Sequence, residues 1–302
     1  MNRLNGVIAP NLTPFNEDLS IARDLYLDHA EWLLATGCAG LAPFGTTGEA
    51  LSLGIEERIS MLEAMVARGI DPARLIPGTG LSNLPDTVRL TRHAVDQGCA
   101  GAMILPPFYF KNVPEEGIYS YYARLIERVD HPDLKIYLYH IPQVTNVGIP
   151  PDLVRRLHSA FPDVIIGIKD SSGDWENTAE LLSIDGLIVY PSQETTLVEG
   201  HRLGAAGCIS ATANLNAANI ARLQSAIRAG GPAPELLAEV SAFRHLIAGA
   251  GPIQAQKALL ARWTGNAGWA RTRPPLLRMS ESEAGLLERE VDALAGYHRP
   301  SF

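Results

Sequence analysis

A chain of 302 residues that is 46% hydrophobic and 19% charged has enough apolar material for a large core, which excludes an intrinsically disordered protein. Its net charge of -8 argues against binding to nucleic acid or to anionic membranes. Three widely spaced cysteines, Cys38, Cys99 and Cys208, argue against a disulfide framework or a zinc site and fit a reducing compartment.

The segment from Met1 to Gly6 has no long apolar stretch, so no signal peptide is expected, and no apolar run approaches a membrane span. A cytoplasmic setting is the expectation. Short apolar runs then alternate with amphipathic helical patterns. Strands are predicted at residues 6–9, 40–43, 75–77, 102–105, 135–139, 164–169, 187–190 and 208–210. Helices are predicted between them, at 21–35, 55–67, 84–96, 117–129, 151–160 and 178–182.

Gly37-Cys38-Ala39-Gly40, Gly98-Cys99-Ala100-Gly101 and Gly204-Ala205-Ala206-Gly207 each end a helix and lead into a strand. Eight such βα units predict a parallel (β/α)8 TIM barrel over residues 1–216. Residues 217–302 then form a helical C-terminal extension packed on the barrel, with helices near 233–248, 254–263 and 281–296. The competing fold is a doubly wound sheet, supported by Gly78-Thr79-Gly80 after the third strand. Asn83 stands where a dinucleotide fingerprint needs its last glycine, so a strand-end turn is the better reading.

In a barrel, chemistry gathers at the C-terminal ends of the strands. The sixth strand runs through Ile165, Ile166 and Ile168 into Lys169. A lysine at the mouth of a buried strand is partly desolvated, and desolvation disfavours the ammonium form. The free amine attacks carbonyls, which makes Lys169 a Schiff-base candidate. Tyr139 ends the neighbouring strand, and its phenol can shuttle protons beside that amine. The turn Gly45-Thr46-Thr47-Gly48 after the second strand forms a small anion nest suited to a carboxylate, and lacks the lysine and the length of a phosphate loop. A carboxylate seat, a phenol and an amine at one barrel mouth point to a 2-oxo acid. None of the eight histidines has a ligand-like partner at helical spacing, so neither a metal nor another cofactor is expected.

These residues resemble the dihydrodipicolinate synthase/N-acetylneuraminate lyase family of class I aldolases. The motifs that carry the resemblance are Gly45-Thr46-Thr47-Gly48-Glu49, Gly78-Thr79-Gly80, Pro107-Phe108-Tyr109, Tyr139-His140-Ile141-Pro142 and Gly167-Ile168-Lys169-Asp170. The resemblance implies that Lys169 forms the imine with pyruvate and that Tyr139 is the acid/base. Thr46, Thr47 and Gly48 would seat the carboxylate, with Thr47 also relaying protons. Ile209 would flank the pyruvyl group. Tyr109 would reach into a neighbouring subunit's site, because such enzymes are usually homotetramers built as dimers of dimers.

Synthases that use aspartate semialdehyde carry an arginine two residues beyond the motif proline, where this chain has Val144. A valine cannot pair with a second carboxylate. Ser171, Gln193 and Glu194 resemble instead the positions that bind sugar hydroxyls in the sugar-acid lyases. The expected activity is cleavage or formation of a 2-keto-3-deoxy sugar acid, or of a 4-hydroxy-2-oxo acid, from pyruvate and an aldehyde. A dehydratase using the same imine, a dihydrodipicolinate synthase, and a non-catalytic binding protein on the same fold are the alternatives.

Overall fold

The computed structural model describes residues 4–231 and 233–301, so Met1 to Arg3 of the opening segment, Pro232 and the terminal Phe302 lie outside it. The barrel strands are β1 (Gly6–Ala9), β2 (Gly40–Leu41), β3 (Ala102–Ile104), β4 (Ile136–His140), β5 (Ile165–Asp170), β6 (Ile188–Pro191) and β7 (Gly207–Ile209). The helices among them are α1 (Arg23–Ala35), α2 (Ile55–Ala67), α3 (Leu84–Asp96), α4 (Glu115–Val129), the short α5 (Pro142–Thr145), α6 (Pro151–Ala160), α7 (Trp175–Leu182) and α8 (Leu197–Arg202). Then follow α9 (Ala213–Arg228), α10 (Pro234–Gly249), α11 (Pro252–Thr264) and α12 (Glu281–Asp292).

All strand pairs are parallel, in the orders β2-β1-β7 and β3-β4-β5-β6. The strand expected at 75–77 is not a regular ladder. It touches its neighbours through single bridges, Leu41 to Leu75 and Gly78 to Met103. Pro77 has no N–H to donate, so pairing there is discontinuous. The backbone still spans the gap, with Ile76 N–H donating to Leu41 C=O and Met103 N–H to Pro77 C=O. On the other side, Ala206 N–H donates to Val189 C=O. The result is the (β/α)8 barrel that the alternation predicts.

Side chains alternate along the strands. Ile8, Met103, Tyr137, Tyr139, Ile188, Tyr190 and Ile209 fill the barrel. Their neighbours Ile104, Ile136, Leu138, Ile168 and Val189 pack outward with side chains of α4, α6 and α7. The extension has a core of its own around Phe243, Leu259, Trp269 and Leu287, joined to the barrel through Leu12 and Leu215. Helix α9 straddles residue 216, and its backbone departs from helical geometry at Asn216 (φ -130°, ψ 20°). The junction between barrel and extension is thus a kink within one helix.

One irregularity positions the site. Ile136 pairs with Ile165, but Tyr137 pairs with Gly167, so β5 carries one extra residue against β4. Such a bulge reverses the facing of everything after it. It brings Lys169 opposite Tyr139, inside the barrel, and leaves Asp170 opposite His140, outside. Gly167 makes room: a Cβ there would lie 2.7 Å from the Tyr137 ring.

Candidate active site

Lys169 and Tyr139 are both buried at the C-terminal ends of β5 and β4. Lys169 Nζ donates to the Tyr139 hydroxyl at 3.3 Å and sits 4.3 Å from the centre of the Tyr139 ring. The same hydroxyl is 3.2 Å from Thr46 Oγ1. An amine, a phenol and an alcohol thus form one hydrogen-bonded line across the mouth, a path along which a proton can move.

Thr46 and Thr47 are presented by a tight turn with left-handed residues on both sides, Phe44 (φ 59°) and Glu49 (φ 56°). Each costs on the order of 1–3 kcal/mol in a residue other than glycine, so the surroundings must hold them. The hold on Glu49 is visible. Its carboxylate is buried, receives Lys257 Nζ at 2.5 Å and accepts the Arg273 backbone N–H at 3.1 Å. Burial, working against the pull of Glu49, holds the Lys257 ammonium down to about 8. The extension thereby fastens the turn that carries Thr46 and Thr47, a contribution of Glu49, Lys257 and Arg273 that the sequence reading missed. The only signal was Glu49 itself, next to the turn; its partners lie over 200 positions away in the chain.

A cavity of about 430 Å³ opens beside this line of groups. Thr46, Tyr139 and Val144 line it, together with Phe108 and, from the extension, Ile253 and Leu276. Val144 is 57% exposed at the rim on α5. Lys111 Nζ donates to the carbonyls of Phe108 and Thr145, tying the loop after β3 to the end of α5. Ile209 is buried in the barrel interior with Tyr139. Thr47 is buried at the turn. Gly48 serves the turn rather than the mouth: its N–H donates to Gly45 C=O, its carbonyl accepts Thr13 Oγ1, and a Cβ would meet Asn11 O at 2.6 Å.

The positions expected to meet sugar hydroxyls are not among the residues that line this cavity. Glu194 is wholly buried, where its carboxylate accepts from Ser210, Thr212 and Arg244. The short turn at Glu194–Thr196 directs it back onto the barrel wall. Ser171 is buried; its N–H donates to His140 C=O and its carbonyl accepts Gln143 Nε2. Gln193 borders a separate pocket of about 50 Å³ beside Asp170 and Trp175. Tyr109 does not enter its own chain's cavity. It is 74% exposed, with its ring edge-on to Phe110 at 5.3 Å.

His140 faces away from the site. Its Nδ1 accepts the Ile149 N–H at 2.9 Å. Burial lowers its pKa from the ordinary value, against the opposing charge of Asp170. Among the described residues, no group of three or more His, Cys, Asp or Glu is placed to hold a metal ion, and no helix is long and apolar enough to cross a membrane.

Residues 3–294 match the dihydrodipicolinate synthetase family. A protein of Chloroflexus aurantiacus named as an uncharacterized DapA-like lyase is 34% identical, over 96% of both chains. The 4-hydroxy-tetrahydrodipicolinate synthase of Alcanivorax borkumensis is 32% identical, over 92% of this chain and 94% of that one. Among solved structures, dihydrodipicolinate synthase from Agrobacterium tumefaciens superposes with a TM-score of 0.89 at 32% identity, covering 96% of this chain and 99% of that one. A 2-keto-3-deoxygluconate aldolase from Sulfolobus solfataricus shares the fold at a TM-score of 0.85 and 23% identity, covering 95% of both chains. The chain therefore belongs to the dihydrodipicolinate synthetase family, whose members are pyruvate-dependent class I lyases.

Proposed function

We propose that the protein makes or cleaves a 4-hydroxy-2-oxo acid, with Lys169 carrying the 2-oxo acid as an imine. The observation that carries this reading is the line from buried Lys169 and Tyr139 to half-buried Thr46, with contacts of 3.3 and 3.2 Å. In the forming direction, the Lys169 amine adds to C2 of pyruvate and water leaves, giving a protonated imine. The Tyr139 hydroxyl gives its proton to the departing water; the cation then acts as an electron sink, the methyl proton passes back to the Tyr139 oxygen, and an enamine forms. The enamine carbon then bonds to the aldehyde carbon, and the aldehyde oxygen takes a proton from the Tyr139 hydroxyl. Water hydrolyses the new imine, releasing the 4-hydroxy-2-oxo acid and free Lys169. Thr46 and Thr47 hold the pyruvate carboxylate, and Ile209 packs beside the pyruvyl group. The chain's own residues supply this chemistry, with no other cofactor in the scheme.

Borohydride added with pyruvate tests this directly. The expected result is an irreversible adduct on Lys169, read by mass spectrometry. Folded protein that takes no label would overturn the proposal. Dihydrodipicolinate synthesis is disfavoured by Val144 and by the lack of an arginine among the described residues lining the cavity. The burial of Glu194, whose carboxylate is held by Ser210, Thr212 and Arg244, also favours a general 4-hydroxy-2-oxo acid over a sugar acid. We place Tyr109 in the mouth of a neighbouring subunit within a homotetramer, which its exposure permits. Native mass spectrometry is expected to show four copies. A cytoplasmic setting suits the three free cysteines.

A further inference from the structure

From the cavity beside Thr46 and Tyr139 we infer that the aldehyde partner is apolar: an aromatic or branched aliphatic aldehyde, not a hydroxylated one. The inference rests on the imine reading above and names the substrate class of that same site. The apolar walls come from three parts of the chain. Leu51 and Phe108 belong to loops after the second and fourth barrel strand positions, Val144 to α5, and Ile253 and Leu276 to the extension. Leu51 and Val144 are large apolar side chains left 56% and 57% exposed. Exposed apolar groups around a concave site mark a surface that awaits an apolar guest.

The polar side chains on the lining, apart from Thr46 and Tyr139, which the scheme above already uses, are Glu49, Ser52 and Thr145. Glu49 is occupied by Lys257 and by the Arg273 N–H. The Thr145 hydroxyl donates to the carbonyls of Ile141 and Val147 and accepts the Val147 N–H. Ser52 is left to meet the hydroxyls of a guest, together with the one phenol that Tyr109 of a neighbouring subunit brings to the mouth in the homotetramer proposed above. A polyhydroxylated aldehyde entering this space gives up several hydrogen bonds to water and regains few, a loss that discriminates strongly against it. An apolar aldehyde gives up only those to its carbonyl oxygen, which meets the Tyr139 hydroxyl instead, and gains contact with Leu51, Phe108, Val144, Ile253 and Leu276. The bond that forms is still enamine carbon to aldehyde carbon, with the aldehyde oxygen protonated as above. Only the group carried by the aldehyde carbon is assigned here.

The test is a competition on the full chain in its native assembly. Pyruvate is offered with equal amounts of benzaldehyde, isobutyraldehyde, glyceraldehyde and aspartate semialdehyde, and each aldol product is quantified by mass spectrometry. Benzaldehyde or isobutyraldehyde is expected to lead by about tenfold or more in kcat/KM. Leu276→Gln and Ile253→Asn are expected to lower that lead by about tenfold while leaving borohydride trapping of pyruvate intact. Trapping that succeeds while glyceraldehyde or aspartate semialdehyde leads overturns this inference and leaves the imine reading standing. Variants that change the native mass of the assembly but not the aldehyde preference also overturn it, because the apolar wall then seats another copy of the chain. Failure of trapping itself falls on the imine reading instead.

Discussion

Strands β4 and β5 end in two adjacent residue pairs that face opposite ways. Tyr139 and Lys169 pair inside the barrel; His140 and Asp170, one residue further on, pair outside it. The inner pair is joined by the 3.3 Å bond from amine to phenol and by the approach of the amine to the Tyr139 ring, and it opens towards the cavity through Tyr139. The outer pair is tied down. Asp170 accepts the Ser172 N–H, Asn177 Nδ2 and Thr178 Oγ1, and His140 accepts the Ile149 N–H. Strand alternation thus lets neighbouring residues divide the labour, reactivity inward and anchorage outward, without sharing partners.

Four measurements break or sharpen this division. Lys169→Arg removes the only amine in the line; turnover is expected to fall by about 10⁴-fold or more, with no borohydride adduct and an unchanged Tm. Residual turnover near the parent level would place the nucleophile elsewhere. Tyr139→Phe keeps the ring and deletes the hydroxyl, for an expected loss of about 10²–10⁴-fold in kcat, with pyruvate still trapped. Asp170→Asn should act in the opposite manner. It is expected to cost about 2 kcal/mol of stability, seen as a lower urea midpoint, with turnover per folded molecule unchanged. If Asp170→Asn abolished turnover at unaltered stability, the outer pair would belong to the chemistry and the division would fail.

The smallest effect is the dependence on pH. The folded-state pKa of His140 lies below its unfolded value, so the unfolded chain binds the proton first. Stability from this group is present above the ordinary histidine pKa of about 6.5 and is lost as pH falls below it. The acid-side decline of Tm is expected to be shallower in His140→Gln. An identical slope in both proteins would remove His140 from the anchoring pair.

The inner pair was legible in the sequence because a buried strand ending in lysine and a neighbour ending in tyrosine are local patterns. Their facing was not. It depends on the extra residue in β5, which no periodicity count reveals, since Ile165 and Ile166 look alike in sequence. The third strand was legible as an apolar run but not as a broken ladder, which follows from Pro77. That Glu194 and Gln193 do not line the cavity was not legible for a related reason. Loop residues after a strand lie near the mouth on average, yet the turn at Glu194–Thr196 decides whether they point at the cavity or behind it. The contribution of the extension was least legible, because Ile253 and Leu276 reach the site only through tertiary packing.

The broken third strand has a consequence for how this site could change over generations. Gly78 and Gly80 form part of the cavity floor, and neither has space for a side chain: a Cβ would meet Phe44 O at 2.2 Å and Leu105 N at 2.5 Å. Mutation at either glycine collides with backbone, so these two positions are closed to adaptation by substitution. Leu51 and Val144 are half open to solvent and free of such constraint. Change at Leu51 and Val144 meets no such wall, so the brim is where a directed-evolution library can vary this cavity without disturbing the two glycines beneath it.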